Sequence, residues 1–248
     1  MKQLRDPKSG CEWDKKQNFQ SLTIFTLEEA YEVVDAIERE DYESLKEELG
    51  DLLLQVVFYS QIALEKDLFS FKEVTESISN KLIERHPYVF NEKQSHTQEQ
   101  QLDKWEEIKF QERSKKNYEN ILDDLPKNLP SLMRSQKIQK RAANVGFDWN
   151  SPEGYFEKIK EELEELQDAI KESKEENVQE ELGDVLMSVV NLARHLNIEA
   201  EDTLRKGNLK FENRFRYIES KLKEKNKSLK ESSLEEMDSL WERSKQEL

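Results

Sequence analysis

One cysteine, Cys11, in 248 residues excludes an internal disulfide and any site built from several thiolates. Three histidines (His86, His96 and His195) are too few for a typical zinc enzyme. Six glycines and five prolines argue against Rossmann and P-loop phosphate cradles and against turn-rich sandwiches. Long hydrophobic runs are missing as well. The most apolar stretch, LLLQVVFY at 52–59, falls far short of the ~20 residues that span a bilayer. The opening MKQLRDPKSG lacks the apolar core of a secretory signal, so a reducing cytoplasm is the expected compartment. Positive charge is in deficit: 39 Lys and Arg face 54 Asp and Glu, a formal charge of −15, which speaks against coating a nucleic-acid polymer. What is abundant is charge itself, 38 % of residues against 35 % hydrophobic, the balance of long helices with thin apolar stripes. The expected fold class is all-α.

The chain is written twice. EELGD occurs at 47–51 and at 180–184, an offset of 133, and the same offset carries Glu29 to Glu162 and Glu32 to Glu165. Trp13 pairs with Trp149 and Trp105 with Trp241, each 136 apart, and Lys81/Arg85 match Lys210/Arg214 at 129. Chance would need all of these to coincide in the same order, so the repeat is a duplication. The polar, proline-bearing stretch 116–131 reads as a linker between domains 1–115 and 132–248. Helices are expected near 20–40, 42–66, 70–86 and 98–113, then 132–143, 152–173, 175–196, 200–224 and 234–246. Short connections favour antiparallel neighbours, hence tandem helical bundles. Ser151-Pro152 is a helix-start signal.

Residues three apart on a helix share a side, because about 100° of rotation per residue leaves them only ~60° apart. Glu29 and Glu32 therefore project together, at the edge of a stripe of Ala30, Val33, Val34 and Ile37. Glu48 and Asp51 stand in the same relation to Leu49, Leu52, Leu53 and Val56, and Gly50 leaves room for a close approach from another side. Two antiparallel helices of this kind aim four carboxylates at one point, and Glu162, Glu165, Glu181 and Asp184 repeat the set. An isolated Glu-x-x-Glu in so acidic a chain is ordinarily a solvated face, and Thr26-x-x-Glu29 also fits a capping box. Yet the residue matching Thr26 is Ile159, which cannot cap. The whole constellation, Glu-x-x-Glu followed by Glu-x-x-Asp at the edge of a stripe and found twice, points to a metal site. Two carboxylates ~4 Å apart repel by roughly 4 kcal/mol at an effective dielectric near 20, so such a cluster needs a cation. All-oxygen ligation favours Mg²⁺, with Mn²⁺ as a substitute. A di-iron bundle would need Glu-x-x-His, and the residues three before the histidines are Ile83, Lys93 and Leu192.

Mg²⁺ commonly reaches a protein together with substrate phosphates, which reconciles an acidic chain with an anionic ligand. Lys81/Arg85 and Lys210/Arg214 are i, i+4 pairs that either grip phosphate oxygens or serve as ion-pair partners. Trp105 and Trp241 are either core residues or plates for a stacked base.

These words resemble the MazG family of nucleoside triphosphate pyrophosphohydrolases in its two-domain form. They are LRDPKSGCEWD (4–14), SLTIFTLEEAYEVVDAI (21–37), EELGDLLLQVVF (47–58), KLIERHPYVF (81–90), QKIQKRAANVGFDW (136–149), EELGDVLMSVVNLARHL (180–196) and KFENRFRYIE (210–219). The resemblance implies an all-α pyrophosphohydrolase fold, a homodimer, and Mg²⁺-dependent conversion of an NTP to NMP and pyrophosphate. It places catalytic magnesium ligands at Glu162, Glu165, Glu181 and Asp184. Nucleotide contacts fall on the Lys158–Glu162 turn, including Glu161, with Glu180 beside the acidic motif, and on Lys210 to Arg214 and Trp241. In the family the C-terminal copy is the better supported catalytic one, while here Glu29, Glu32, Glu48 and Asp51 keep the N-terminal set intact. A dUTP- or phosphoribosyl-ATP-specific enzyme of the same fold, and a non-catalytic nucleotide- or protein-binding module, are the rival expectations.

Overall fold

The computed structural model describes residues 1–90, 120–149, 151–172 and 175–247, with eight further positions between 97 and 118. Among the described residues the regular structure is entirely helical. The chain divides into two compact units, Met1–Lys115 and Lys116–Leu248.

In the first unit a short α1 (Glu12–Lys16) precedes α2 (Thr23–Glu38), α3 (Tyr42–Glu65), α4 (Phe71–Arg85) and the single turn α5 (Pro87–Phe90). The expected helix at 98–113 lies mostly outside the described residues. Between α2 and α3 the chain reverses within three residues: Glu40 takes a positive φ of 55° and Asp41 caps α3 by accepting the Ser44 N–H at 3.1 Å. Ser70 and Glu73 form a reciprocal capping box at the start of α4. The two long helices pack along each other, closing over a core of Leu22, Phe58 and Ile62 with Phe19, Phe25 and Tyr59 around it. Trp13 seals this end edge-on to Phe25 and Phe58, at 5.7 and 6.4 Å. Arg5 ties the N-terminal turns to the end of α3 through Glu65 at 2.7 Å.

The second unit contains α6 (Ser131–Ala143), α7 (Pro152–Glu172), α8 (Glu175–His195), α9 (Ala200–Glu224) and α10 (Leu234–Glu247). α7 starts at the proline, as Ser151-Pro152 signals. Helices α7 and α8 repeat the α2–α3 pairing, and α6 lies against α8. Gln136, buried on α6, closes the α8–α9 turn with both ends of its amide: Nε2 donates to Ile198 O at 2.9 Å and Oε1 accepts from Ala200 N at 2.8 Å. Helices α9 and α10 form a hairpin around Ile218, Leu222 and Leu240. Residues 120–124 belong with this unit's contacts, because the Arg141 guanidinium donates to the carbonyls of Ile121 and Asp123.

Candidate metal and nucleotide site

In the first unit α2 begins at Thr23, so Thr26 is not a cap. Its hydroxyl reaches back to Leu22 O at 3.1 Å and meets the Tyr59 hydroxyl at 3.0 Å. Glu29 thus stands inside the helix with no capping duty. One oxygen each from Glu29, Glu48 and Asp51 lie within 4.8 Å of one another. Loss of water pushes the Glu29 carboxyl above its ordinary range, and the charges of Asp51, Glu32 and Glu48 push it further. Glu48 is raised in the same way, by burial first and then by Glu32 and Asp51, against a weak opposing pull from Arg39. Glu32 is outside the trio and exposed, but close enough for its charge to act on both.

The second unit gathers Glu162, Glu165 and Glu181 within the same 4.8 Å, while Asp184 stands half-buried one turn beyond Glu181. Each copy therefore brings three of its four acids into one group, and not the same three. A lysine marks the difference. Lys158 Nζ lies 2.7 Å from Glu162 and 2.8 Å from Glu161, and the position matching it in the first unit is Phe25. Glu162 is only 5 % exposed, so its partner compensates a carboxylate that water cannot reach. Hydrogen bonds to Glu161 and Glu162 hold the Lys158 ammonium above the usual lysine range. Burial raises Glu165, as do the charges of Glu162 and Glu181, with Lys158 working against them.

The apolar stripes beside the acids depart from the sequence-based expectation. Leu49, Leu53 and Val56 are exposed, as is Ile37, and so are their counterparts Leu182, Leu186, Val189 and Ile170. The side of α3 that is buried carries Gln55, Phe58 and Ile62 instead. Helix α3 is rotated so that this second line of residues meets α2, which leaves the leucine line on the surface of the single chain. The space beside Gly50 and Gly183 is open: no protein atom comes within 4 Å of where a Cβ would stand.

The basic and aromatic candidates are dispersed. Arg85 is clamped by Glu112, through Nε at 2.9 Å and Nη2 at 2.5 Å, as an ion pair rather than a free grip. Lys81 is exposed and borders a shallow cleft with Phe69 and Glu73. Arg214 lies over the Trp241 ring at 5.5 Å, and that ring also meets Phe211 at 5.1 Å and the α9–α10 core. Trp241 is thus half core residue and half arginine platform. Lys210 is exposed one turn before Arg214, and Glu161 and Glu180 are exposed beside the acidic group. Trp105 is partly exposed, in a segment of which few residues are described. Composition and spacing gave no reason to link Lys158 to Glu162; only their i, i+4 separation held the signal.

With this geometry in place, the comparisons with known proteins are specific. The family model described as the MazG nucleotide pyrophosphohydrolase domain matches twice, at residues 17–90 and 150–230. The nucleoside triphosphate pyrophosphohydrolase of Escherichia coli K12 is 46 % identical over 249 residues, covering 100 % of this chain and 95 % of that protein. The nucleoside triphosphate pyrophosphohydrolase/pyrophosphatase MazG of Thermotoga maritima is 44 % identical over 245 residues, covering 99 % and 92 %. Bacillus subtilis YabN is 42 % identical over 247 residues, which make up 50 % of its own length.

Proposed function

The chain belongs to the MazG family of nucleotide pyrophosphohydrolases, and from that premise we propose that it hydrolyses nucleoside triphosphates to the monophosphate and pyrophosphate, in the cytoplasm, with divalent metal held by its acidic groups. The observation that carries this reading is the pair of carboxylate trios, each within 4.8 Å, one per repeat. Desolvated and mutually repelling acids fit a hard cation, and their oxygens favour Mg²⁺ or Mn²⁺ over softer metals. Glu162, Glu165 and Glu181 with Asp184 would hold it in the second domain, and Glu29, Glu48 and Asp51 with Glu32 in the first. When bound, the ion supplies charge neutralisation and polarises the triphosphate and its attacking water.

The chain's own residues do the rest. Lys158, freed from Glu162 when a cation takes its place, presents an ammonium to the phosphates, and Lys210 and Arg214 add positive charge for the leaving pyrophosphate. A water oxygen bonds to the α-phosphorus as the bond from that phosphorus to the bridging oxygen breaks. The water proton passes to a carboxylate, for which Glu161, next to the buried Glu162, is the assigned acceptor. Products decide the matter: ATP, dGTP and dUTP with Mg²⁺ should each yield a monophosphate and pyrophosphate. Diphosphate with free phosphate would refute the chemistry, and nucleotide-dependent stabilisation without any product would leave a binding module.

The exposed leucine lines carry a second part of the proposal, a homodimer. Leu53 and Leu186 occupy the same repeat position, and apolar faces of this kind on a charged protein mark an interface. The paired variant Leu53→Asp, Leu186→Asp should convert a dimer into a monomer by sedimentation velocity while retaining helical circular dichroism. A wild-type monomer at micromolar concentration would overturn this assignment.

A further inference from the structure

Helix α6 and the turn after it, the segment QKIQKRAANVGFDW, take no part in the metal and phosphate chemistry. They border a cavity of about 380 Å³ in the second unit, lined by the rings of Phe147 and Trp149, by Ala142 and Met187, and by the amides of Gln139 and Asn191. Both amides have their orientation fixed from outside the cavity. Gln139 Nε2 donates to Met187 O at 2.8 Å, which leaves Oε1 buried as an acceptor without a partner. Asn191 Oδ1 accepts from Arg194 Nε at 2.9 Å, which leaves its NH₂ end to donate. A buried acceptor facing a cavity is satisfied by a ligand N–H.

The aromatic wall is equally well set. Gly146 turns the chain at a φ of 89°, a conformation that favours glycine. Trp149 packs edge-on to Tyr155 at 4.9 Å, and a Cβ on Gly154 would come within 2.6 Å of the indole, so glycine there makes room for the ring. Asp148 is fastened by the Tyr155 hydroxyl and by Arg194, each at 2.5 Å. Phe147 is 83 % exposed at the same turn.

The position relates the cavity to the acids. Met187 and Asn191 are three and seven residues beyond Asp184 on α8. Seven residues advance ~10 Å along a helix and return to within ~20° of the same side. In the first unit the residue matching Asn191 is Phe58, buried against Trp13, and the one matching Gln139 is Gln3, exposed in a turn. Carbon fills there what two oriented amides line in the second copy.

The geometry points to this cavity as the base pocket of the second unit, in which Trp149 and Phe147 cover a nucleobase, Gln139 Oε1 accepts an N–H from its edge, and Asn191 donates to a neighbouring ring acceptor. The assignment rests on reading the adjacent acids as the triphosphate site. It makes the C-terminal copy the one that discriminates between bases.

The test uses the full chain with Gln139→Met, which keeps the length but removes the acceptor, and Ala142→Leu, which fills the cavity from α6. Kinetics on ATP, CTP, GTP and UTP should show KM for the preferred base rising ~10-fold in Gln139→Met with kcat changed far less, flattening the preference. An N-methylated analogue of that base, lacking the donor, should lose a similar factor on the wild type. Binding of the unphosphorylated nucleoside without metal, followed by saturation-transfer NMR, should be lost in both variants. Nucleoside binding that vanishes in the variants supports the pocket even if no triphosphate is hydrolysed, in which case the reading of the acids fails alone. Hydrolysis with an unchanged base preference and unchanged nucleoside binding overturns the pocket alone. If Gln139→Met does not fold, Ala142→Leu separates the same two outcomes.

Discussion

Glu181→Gln is expected to lower the rate of NTP hydrolysis by ~10² to 10³-fold, a loss at least ten times that caused by Glu48→Gln. Glu181 is the α8 member of the second trio, and its neutral amide keeps the shape while removing a charge and a strong cation ligand. The change should leave folding intact, because Glu181 is half-buried and belongs to a cluster of like charges rather than to an ion pair. Thermal unfolding in EDTA checks this, and the kcat ratio of the two variants checks the ranking. The asymmetry follows from what surrounds each trio. The second has a buried glutamate with a lysine partner and a polar cavity along the same helix, whereas the first has Phe25 and Phe58 at the corresponding places. Equal losses would show that both copies turn over substrate. A larger loss from Glu48→Gln would assign turnover to the first.

The helices and the acids were legible in the sequence because both rest on periodicity. A spacing of three or four residues fixes which side chains share a helix side, so Glu29 and Glu32, or Glu48 and Asp51, are placed by arithmetic alone. Helix ends fell within a few residues of expectation because Asp41, Ser70 and Pro152 are strong local signals. Rotation of a helix about its own axis was not legible. α3 carries two apolar lines, Leu49–Leu53–Val56 and Phe58–Ile62, and local pattern cannot say which one meets α2. The Gln139–Asn191 cavity was hidden for a related reason. Its members come from α6, the Gly146 turn and α8, and their joint meaning arises only when the amides are oriented by Met187 O and Arg194. The duplication showed which residues were retained in both copies. It did not show that retained acids would gather in different threes.

Replacing Lys158 by Met should destabilise the metal-free protein and make divalent cations stabilise it more than they stabilise the wild type. Lys158 is the counter-charge that Glu162 has in the absence of metal, and removing one partner of a largely buried pair costs more than the pair contributes. Because the lysine is itself partly exposed, a loss of about 1–2 kcal/mol is expected, below the value for a fully buried pair. The pH dependence has a definite sign. Glu165 already titrates above its ordinary range, first through burial and then through Glu162 and Glu181, with Lys158 opposing. Without the ammonium its folded-state value rises further. The folded variant then binds more protons than the unfolded chain between the ordinary carboxylate value and the raised one, so its stability falls as pH rises through that window. The difference from wild type should therefore be full at neutral pH and shrink as the solution is acidified toward the usual glutamate range. Thermal melts in EDTA and in saturating Mn²⁺, taken across that range, measure both effects. If Lys158→Met melts with the wild type at neutral pH in EDTA, the Lys158–Glu162 pair is not what holds the acidic group together without metal, and the proposed exchange of ammonium for cation fails with it.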